Sequence, residues 1–355
     1  MTQKLIAIYG GTELDDATAS FVSRLAEVLL GYPDVVIVTG GFDYSTDLPD
    51  AMSTDRAALH GAAKFTQAMR IPLAERFQTW IPEAGRDREG VVRFKEGLVR
   101  ELKGKSAQAR RLTLVEQVDA VVTVKGKKHT ALVLDMALAV DKPALPIPLT
   151  GGDSCTYWKD NKAQIVSAFQ LSDALVQRLE TTSIENLDQA ERLARDLAES
   201  VWTASSHVCL ILSAFRVEVD AFQGDVLNPV VEAEGFKPVR LDRTTDTGNI
   251  ASIFVSRLRS SDAVIADITE GSPNVLYELG HAHARGIEPL LLARRKLGAE
   301  VWRELPFYLY EQKLVAFDAT TEEGRNMLGN RVREFLQNIR TTRANALSRS
   351  VGQRS

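Results

Sequence analysis

A carboxylate that sits half in a cleft and half against an apolar core is one whose proton affinity the fold can tune. Glu278 is such a group. It belongs to the run Asp262-Ala-Val-Ile-Ala-Asp267-Ile-Thr-Glu-Gly-Ser272-Pro-Asn274-Val-Leu-Tyr277-Glu278-Leu-Gly-His281-Ala-His283-Ala-Arg-Gly286. The pattern predicts a buried strand over 263–268, a tight loop, and a helix with Ser272 as N-cap and Pro273 at its first position. Gly286 ends the helix, and Pro289 opens the next buried strand. At about 100° per residue, Val275, Leu276, Leu279 and Ala282 share one stripe, while Asn274, His281 and Arg285 share the opposite side. Glu278 falls on the border in the second turn, where a carboxylate can serve as nucleophile or stabilise developing positive charge. Asn274 and Tyr277 flank it as positioning groups, and Asp267, at the strand's carboxyl end, is expected to order the loop. Asp262 precedes the strand and reads as a structural cap.

The elements that must hold this helix read as an α/β unit. Strands are expected at 208–212, 238–241, 263–268, 289–293 and about 314–317, with helices at 222–234, 249–259, 273–285 and 322–339 between and after them. Five strands alternating with helices suggest a flavodoxin-like order, with a crevice between the first and third strands. Ser213, Phe215 and Arg216 would meet Ser272 there, the aromatic ring stacking on a base and the guanidinium holding a phosphate. Asp246, Asn249 and His281 complete the expected substrate-facing set, His281 being within reach of Glu278 at i+3 spacing. His281 and His283 point about 200° apart on a helix, so they cannot share one ion. No metal site is expected.

The order Val-Ile-Ala-Asp-Ile-Thr, then Pro-Asn-Val-Leu-Tyr-Glu-Leu-Gly-His-Ala-His-Ala, resembles the signature of nucleoside 2-deoxyribosyltransferase-like domains, relatives of TIR-type NAD-cleaving domains. The likeness covers roughly residues 207–318. It implies that Glu278 acts at the anomeric carbon of a nucleoside or nucleotide, with NAD as a substrate and no cofactor. One departure matters. True transferases carry a second acid on the helix before this strand, whereas residues 249–261 contain no Asp or Glu and Asp246 is the only nearby substitute. That disfavours base exchange and favours hydrolysis, or binding without turnover.

A second set of candidate residues lies at glycine-bearing turns nearer the N-terminus. Strand 5–9 ends in Gly10-Gly11-Thr12, strand 35–39 (closing on Thr39) in Gly40-Gly41-Phe42, and strand 119–124 in Lys125-Gly126-Lys127-Lys128, followed by Thr130. Helices are expected at 14–30 and 129–140, and a further strand at 143–147. Glycine lets a backbone approach a phosphate closely, and exposed amides there form an anion nest. Arg110 and Arg111 precede the third strand. These turns resemble the SLOG superfamily, the nucleotide-binding fold shared by LOG-type enzymes and DprA-type proteins. The resemblance implies a nucleotide ligand held by these residues. The chain lacks the glutamate that LOG-type hydrolases carry after the third turn, which argues against their phosphoribohydrolase chemistry.

The 355 residues, 45% hydrophobic and 25% charged with net charge −4, describe an ordinary protein with room for two cores and no basic excess for nucleic acid. No apolar run is long enough to span a membrane, and Met-Thr-Gln-Lys leads straight into a strand pattern, so a cytoplasmic protein is expected. The two cysteines form no disulfide framework. The expected organisation is a nucleotide-binding domain over 1–155, a helical connector over 156–204, a glycosidase-like domain over 205–340 and a frayed basic tail over 341–355. The favoured reading is a homo-oligomeric sensor and effector, two doubly wound parallel-sheet domains in which a nucleotide signal controls cleavage of NAD or a related nucleotide. The SLOG–TIR analogy adds a bacterial antiphage setting. The alternatives are a nucleoside or nucleotide deoxyribosyltransferase or hydrolase, and a non-catalytic nucleotide-binding regulator.

Overall fold

Val35–Thr39, Ala120–Val124 and Ala263–Asp267 are buried at every position, as strands covered on both faces must be. In a computed structural model of the protein, each lies inside a parallel sheet. The structure describes residues 3–32, 34–87, 89–140, 142–169, 171–214, 222–241, 250–259, 261–294 and 314–352. The chain divides into two compact units, Met1–Ser206 (with Arg349–Ser355) and His207–Ser348. Both are α/β and doubly wound.

The first sheet contains β1 (Lys4–Gly10), β2 (Val35–Thr39), β4 (Phe77–Pro82), β6 (Leu98–Leu102), β7 (Ala120–Val124) and β8 (Ala144–Ile147). Their order is β6-β4-β2-β1-β7-β8, all parallel. The chain builds outward from β1 on one side, then returns to β1's other edge with β7. The switch point therefore lies between Gly10 and Val124, where such sheets open a crevice. A small antiparallel ribbon, β3 (Phe42–Ser45) with β5 (Val91–Arg93), stands beside it. The helices are α1 (Asp16–Leu30), α2 (Thr54–Met69), α3 (Ala107–Gln117), α4 (His129–Ala139), α5 (Gly152–Phe169), α6 (Asp173–Thr181) and α7 (Leu187–Ala204).

The expected connector is not separate. Trp158 and Leu179, with Leu193, Leu197 and Val201 of α7, are buried in one cluster with Ile6, Ile37 and Val122 of the sheet and Phe21 and Leu25 of α1. Each such side chain contributes about 1.5–3 kcal/mol by leaving water. The amphipathic stripe of α7 is this unit's own wall, so the unit runs to Ser206. At the amino edge of β1, Lys4 Nζ donates to Trp202 O (3.1 Å) and Ser206 Oγ (2.9 Å) and lies 4.3 Å from the Trp202 ring centre. Burial pulls the Lys4 pKa down to about 8, against Asp119 and Asp34.

The second sheet has the order β10-β9-β11-β12-β13, all parallel, from β9 (His207–Leu212), β10 (Phe236–Val239), β11 (Ala263–Asp267), β12 (Leu290–Ala293) and β13 (Leu314–Ala316). This is the expected flavodoxin-like order, with β10 two residues earlier than expected. A π-turn (Gln223–Leu227) and α8 (Asn228–Ala233) cover one face with α11 (Glu322–Gly352), while α9 (Ile250–Arg259) and α10 (Pro273–Ala284) cover the other. α11 continues through Gly352, so the expected break at 341 is absent.

Both units fasten their switch-point strands in the same way. Asp119 N donates to Leu5 O (2.7 Å) while Leu5 N donates to Asp119 Oδ2 (2.8 Å). Asp262 N donates to Val208 O (2.8 Å) while Val208 N donates to Asp262 Oδ2 (2.8 Å). The capping role expected for Asp262 is thus a reciprocal bolt between β11 and β9, at the edge opposite the crevice.

Candidate functional site

In the second unit, Leu212 pairs with Ala266, so Ser213 leaves β9 beside Asp267 at the end of β11. The loop between β11 and α10 is tied down from below. Asp267, 4% exposed, accepts from Thr269 N (3.0 Å) and Thr269 Oγ1 through Oδ1, and from Arg294 Nε (2.9 Å) through Oδ2. Arg294 N donates to Thr269 Oγ1 (2.8 Å), and its guanidinium also meets Glu270. Asp267, expected to order the loop, has both its oxygens engaged in holding it. Arg294 has no motif around it in the sequence and was missed.

The loop delivers α10, with Pro273 at its first turn as expected. Ser272 does not cap through its side chain; its carbonyl accepts from Leu276 N (3.0 Å). At the other end Gly286 is left-handed (φ 71°), and Gly286 N→His283 O (2.8 Å) with Ile287 N→Ala282 O (3.0 Å) closes a Schellman turn. Val275, Leu279 and Ala282 are buried, Asn274 is exposed and Tyr277 is 63% exposed. Glu278 lies half-buried between these faces. It makes no hydrogen bond or ion pair among the described residues, and burial alone pushes its carboxyl up to about 7. The hydrogen bond expected from His281 does not form. The His281 ring instead meets Tyr277 and Phe254 edge to face, at 4.7 and 5.8 Å between centres. Ser213, 5% exposed, has no partner for its hydroxyl among the described residues. Phe215, Arg216, Asp246 and Asn249 lie outside the described residues.

The first unit is arranged differently. Gly11 N donates to Val124 O (2.9 Å), and Gly11 O accepts from both Thr54 N and Thr54 Oγ1 (2.9 and 2.8 Å). A Cβ on Gly10 would stand 2.0 Å from Val124 O, so glycine here serves strand packing. Thr12 is exposed, while Thr39 is buried with Oγ1 3.4 Å from Gly41 N. The Gly40-Gly41-Phe42 turn does form a cradle of amides, and the chain fills it itself. Asp55, at the start of α2 and 6% exposed, accepts from Phe42 N (2.9 Å) with the Gly40 and Gly41 amides also directed at it. Burial raises this carboxyl to about 6, against those amides and Arg93. Arg93, from the ribbon, donates to Gly40 O (2.6 Å) and pairs with Asp87.

The third turn is also occupied. Lys125 and Lys128 hold left-handed backbones (φ 50° and 54°) around Gly126 (φ 90°), whose missing side chain leaves room for buried Thr130. The helix that follows is capped from outside, Ala131 N donating to Asp153 Oδ2 (3.0 Å). Lys125 Nζ is 3.5 Å from Asp15 and Lys127 Nζ 3.8 Å from Glu13, so the lysines expected to form an anion pocket face acids. Lys128 is exposed. The remaining positive groups are Arg110 and Arg111. Arg111 Nε lies 3.2 Å from Tyr9 Oη at the end of β1, and Arg110 donates to Lys105 O (3.2 Å). Burial and the nearby Arg93 and Arg111 lower the Arg110 pKa. Neither guanidinium has a carboxylate partner among the described residues.

No protein-family model matches the chain, and no curated protein matches it at a significant level. Similar solved structures include a molybdenum cofactor binding protein from Rippkaea orientalis (17% identity over 41% of this chain and 76% of that one, TM-score 0.30). A molybdenum cofactor carrier protein from Chlamydomonas reinhardtii matches with 15% identity over 40% and 74%, TM-score 0.28. DNA processing protein A from Helicobacter pylori, of the type the glycine turns resemble, matches with 17% identity over 55% and 82%, TM-score 0.32. At scores this low they carry nothing about what this chain binds or does. Among the described residues no helix is long and apolar enough to cross a membrane, and no three His, Cys, Asp or Glu residues gather as metal ligands.

Proposed function

We propose that the second unit cleaves the N-glycosidic bond of NAD or a related nucleotide, with Glu278 as the reacting carboxylate. The observation that carries this reading is a half-buried acid without a partner among the described residues, its pKa raised to about 7, on a helix whose leading loop is clamped at the sheet's switch point. As the C1′–N bond breaks, its electron pair leaves with the base and positive charge grows on the sugar. The ionised carboxylate stabilises that charge or bonds to C1′, and water then completes hydrolysis. A nicotinamide carrying positive charge leaves neutral and needs no proton, whereas a neutral purine needs one. α9 offers no Asp or Glu for that proton, which favours a dinucleotide such as NAD over base exchange.

The first unit, in this reading, takes an anionic nucleotide at Arg110 and Arg111. Purified protein incubated with NAD and a nucleoside panel, alone and with added nucleotides, tests the proposal. Release of a free base that stops in Glu278→Gln supports it. Turnover that survives the substitution removes Glu278 from the reaction, and release from nucleosides alone moves the reading to nucleoside hydrolysis.

A further inference from the structure

The second unit contains another set of buried polar atoms without a partner among the described residues. Gln223 is 1% exposed, and neither the nitrogen nor the oxygen of its side-chain amide has a partner among the described residues. Asn228 Oδ1 is likewise buried and has no partner among the described residues. The two residues are neighbours in space because of the local helix. Asn228 N donates to Gln223 O, closing an i→i+5 turn over Gln223–Leu227 that brings the backbones of Gln223 and Asn228 together. The cause is in the sequence: Pro229 follows directly, lacks the N–H an α-helix would direct at Asp225 O, and relaxes the preceding turn.

The place is the carboxyl edge of the sheet. Phe222, next to Gln223, packs 5.5 Å from the Phe317 ring and 5.7 Å from the Arg294 guanidinium, residues that directly follow β13 and β12. Buried amides are almost always hydrogen-bonded, and leaving both ends of one unpaired is costly. A carboxamide presents donor and acceptor side by side, so its complement is an uncharged group with the same pair reversed.

We propose that Gln223 and Asn228 form a ligand-reading site for an uncharged donor–acceptor edge, that of a carboxamide or of a nucleobase. The site lies on the sheet face opposite α10 and does not require Glu278 to be catalytic.

The full-length protein tests this with free nicotinamide and free adenine as separate probes, following the Gln223 side-chain amide resonances by NMR. A shift with nicotinamide assigns a carboxamide reader, and a shift with adenine a base reader. Gln223→Met, similar in shape but without the amide, is expected to raise Tm by about 2–4 °C and to abolish the response. Gln223→Glu keeps the shape and loses the donor, and is expected to weaken binding at least tenfold. A lower Tm in Gln223→Met overturns the proposal, because the amide is then already satisfied in the fold. So does the absence of any response to both probes.

Discussion

Two cradles stand at the carboxyl edges of two similar sheets, and they differ in whether the chain has already filled them. In the first unit, Asp55 accepts from the Phe42 amide beside the Gly40-Gly41 turn, Asp153 occupies the start of α4, and Glu13 and Asp15 face Lys127 and Lys125. In the second, Glu278, Ser213 Oγ and the Gln223 amide have no partner among the described residues. Satisfied polar groups build a fold; buried groups left unsatisfied cost stability and are kept where a ligand meets the demand. In the first unit the glycine-bearing turns take part in internal joints between strands and helices.

The contrast breaks first at Glu278. Glu278→Gln is expected to lower base release at least about a hundredfold with the fold retained, measured as free base by chromatography alongside circular dichroism. Next in size is Asp55→Ala, which strips buried amides of their acceptor. It is expected to cost about 1–3 kcal/mol, read as a lower denaturant midpoint at pH 7. A variant as stable as the wild type would mean that water replaces the carboxylate without loss and that the first cradle is open after all.

The positive groups of the first unit sharpen the comparison further. Arg110→Ala or Arg111→Ala is expected to weaken AMP binding by about tenfold in calorimetry, since each loses a charge-assisted contact. Replacing Lys125, Lys127 and Lys128 together is expected to change it by less than about threefold, because two of the three already face carboxylates at the surface. A larger lysine effect would reverse the assignment.

The smallest effect is in pH. Burial raises the Glu278 carboxyl from 4.5 to about 7, so the folded state holds its proton longer than the unfolded state does. Below pH 4.5 the group costs nothing, and between 4.5 and 7 the wild type loses stability relative to Glu278→Gln. With the group only half-buried the gap reaches on the order of 1 kcal/mol above pH 7. Base release should rise over the same range as the carboxylate ionises. Release that falls as pH rises through 7 would make Glu278 a proton donor instead.

Much of the second unit was legible in the sequence because its strands are short apolar runs between clear helix stops. Pro273 and Gly286 bracket α10 where expected, and the strand order follows from simple alternation. The first unit hid more. β4 carries Gln78 and Thr79 among its apolar residues, and the edge strand β6 carries Arg100 and Glu101, so neither reads as a buried run. The stripe of α7 declares that it packs, but not against what. Asp55 is one acid among many, and only the closed turn around it shows its role. Arg294 and Gln223 gave no local signal, since each owes its importance to residues distant in the chain.

The Lys4 contact with Trp202 and Ser206 brings the beginning of the first unit to its end. A unit whose entry and exit share one doorway can be spliced ahead of another gene segment without rearranging its interior. The natural border for such shuffling is residue 206. A fragment cut at 155 would expose the side of the sheet that Trp158, Leu193 and Leu197 cover, whereas one cut after Ser206 would leave with its wall in place.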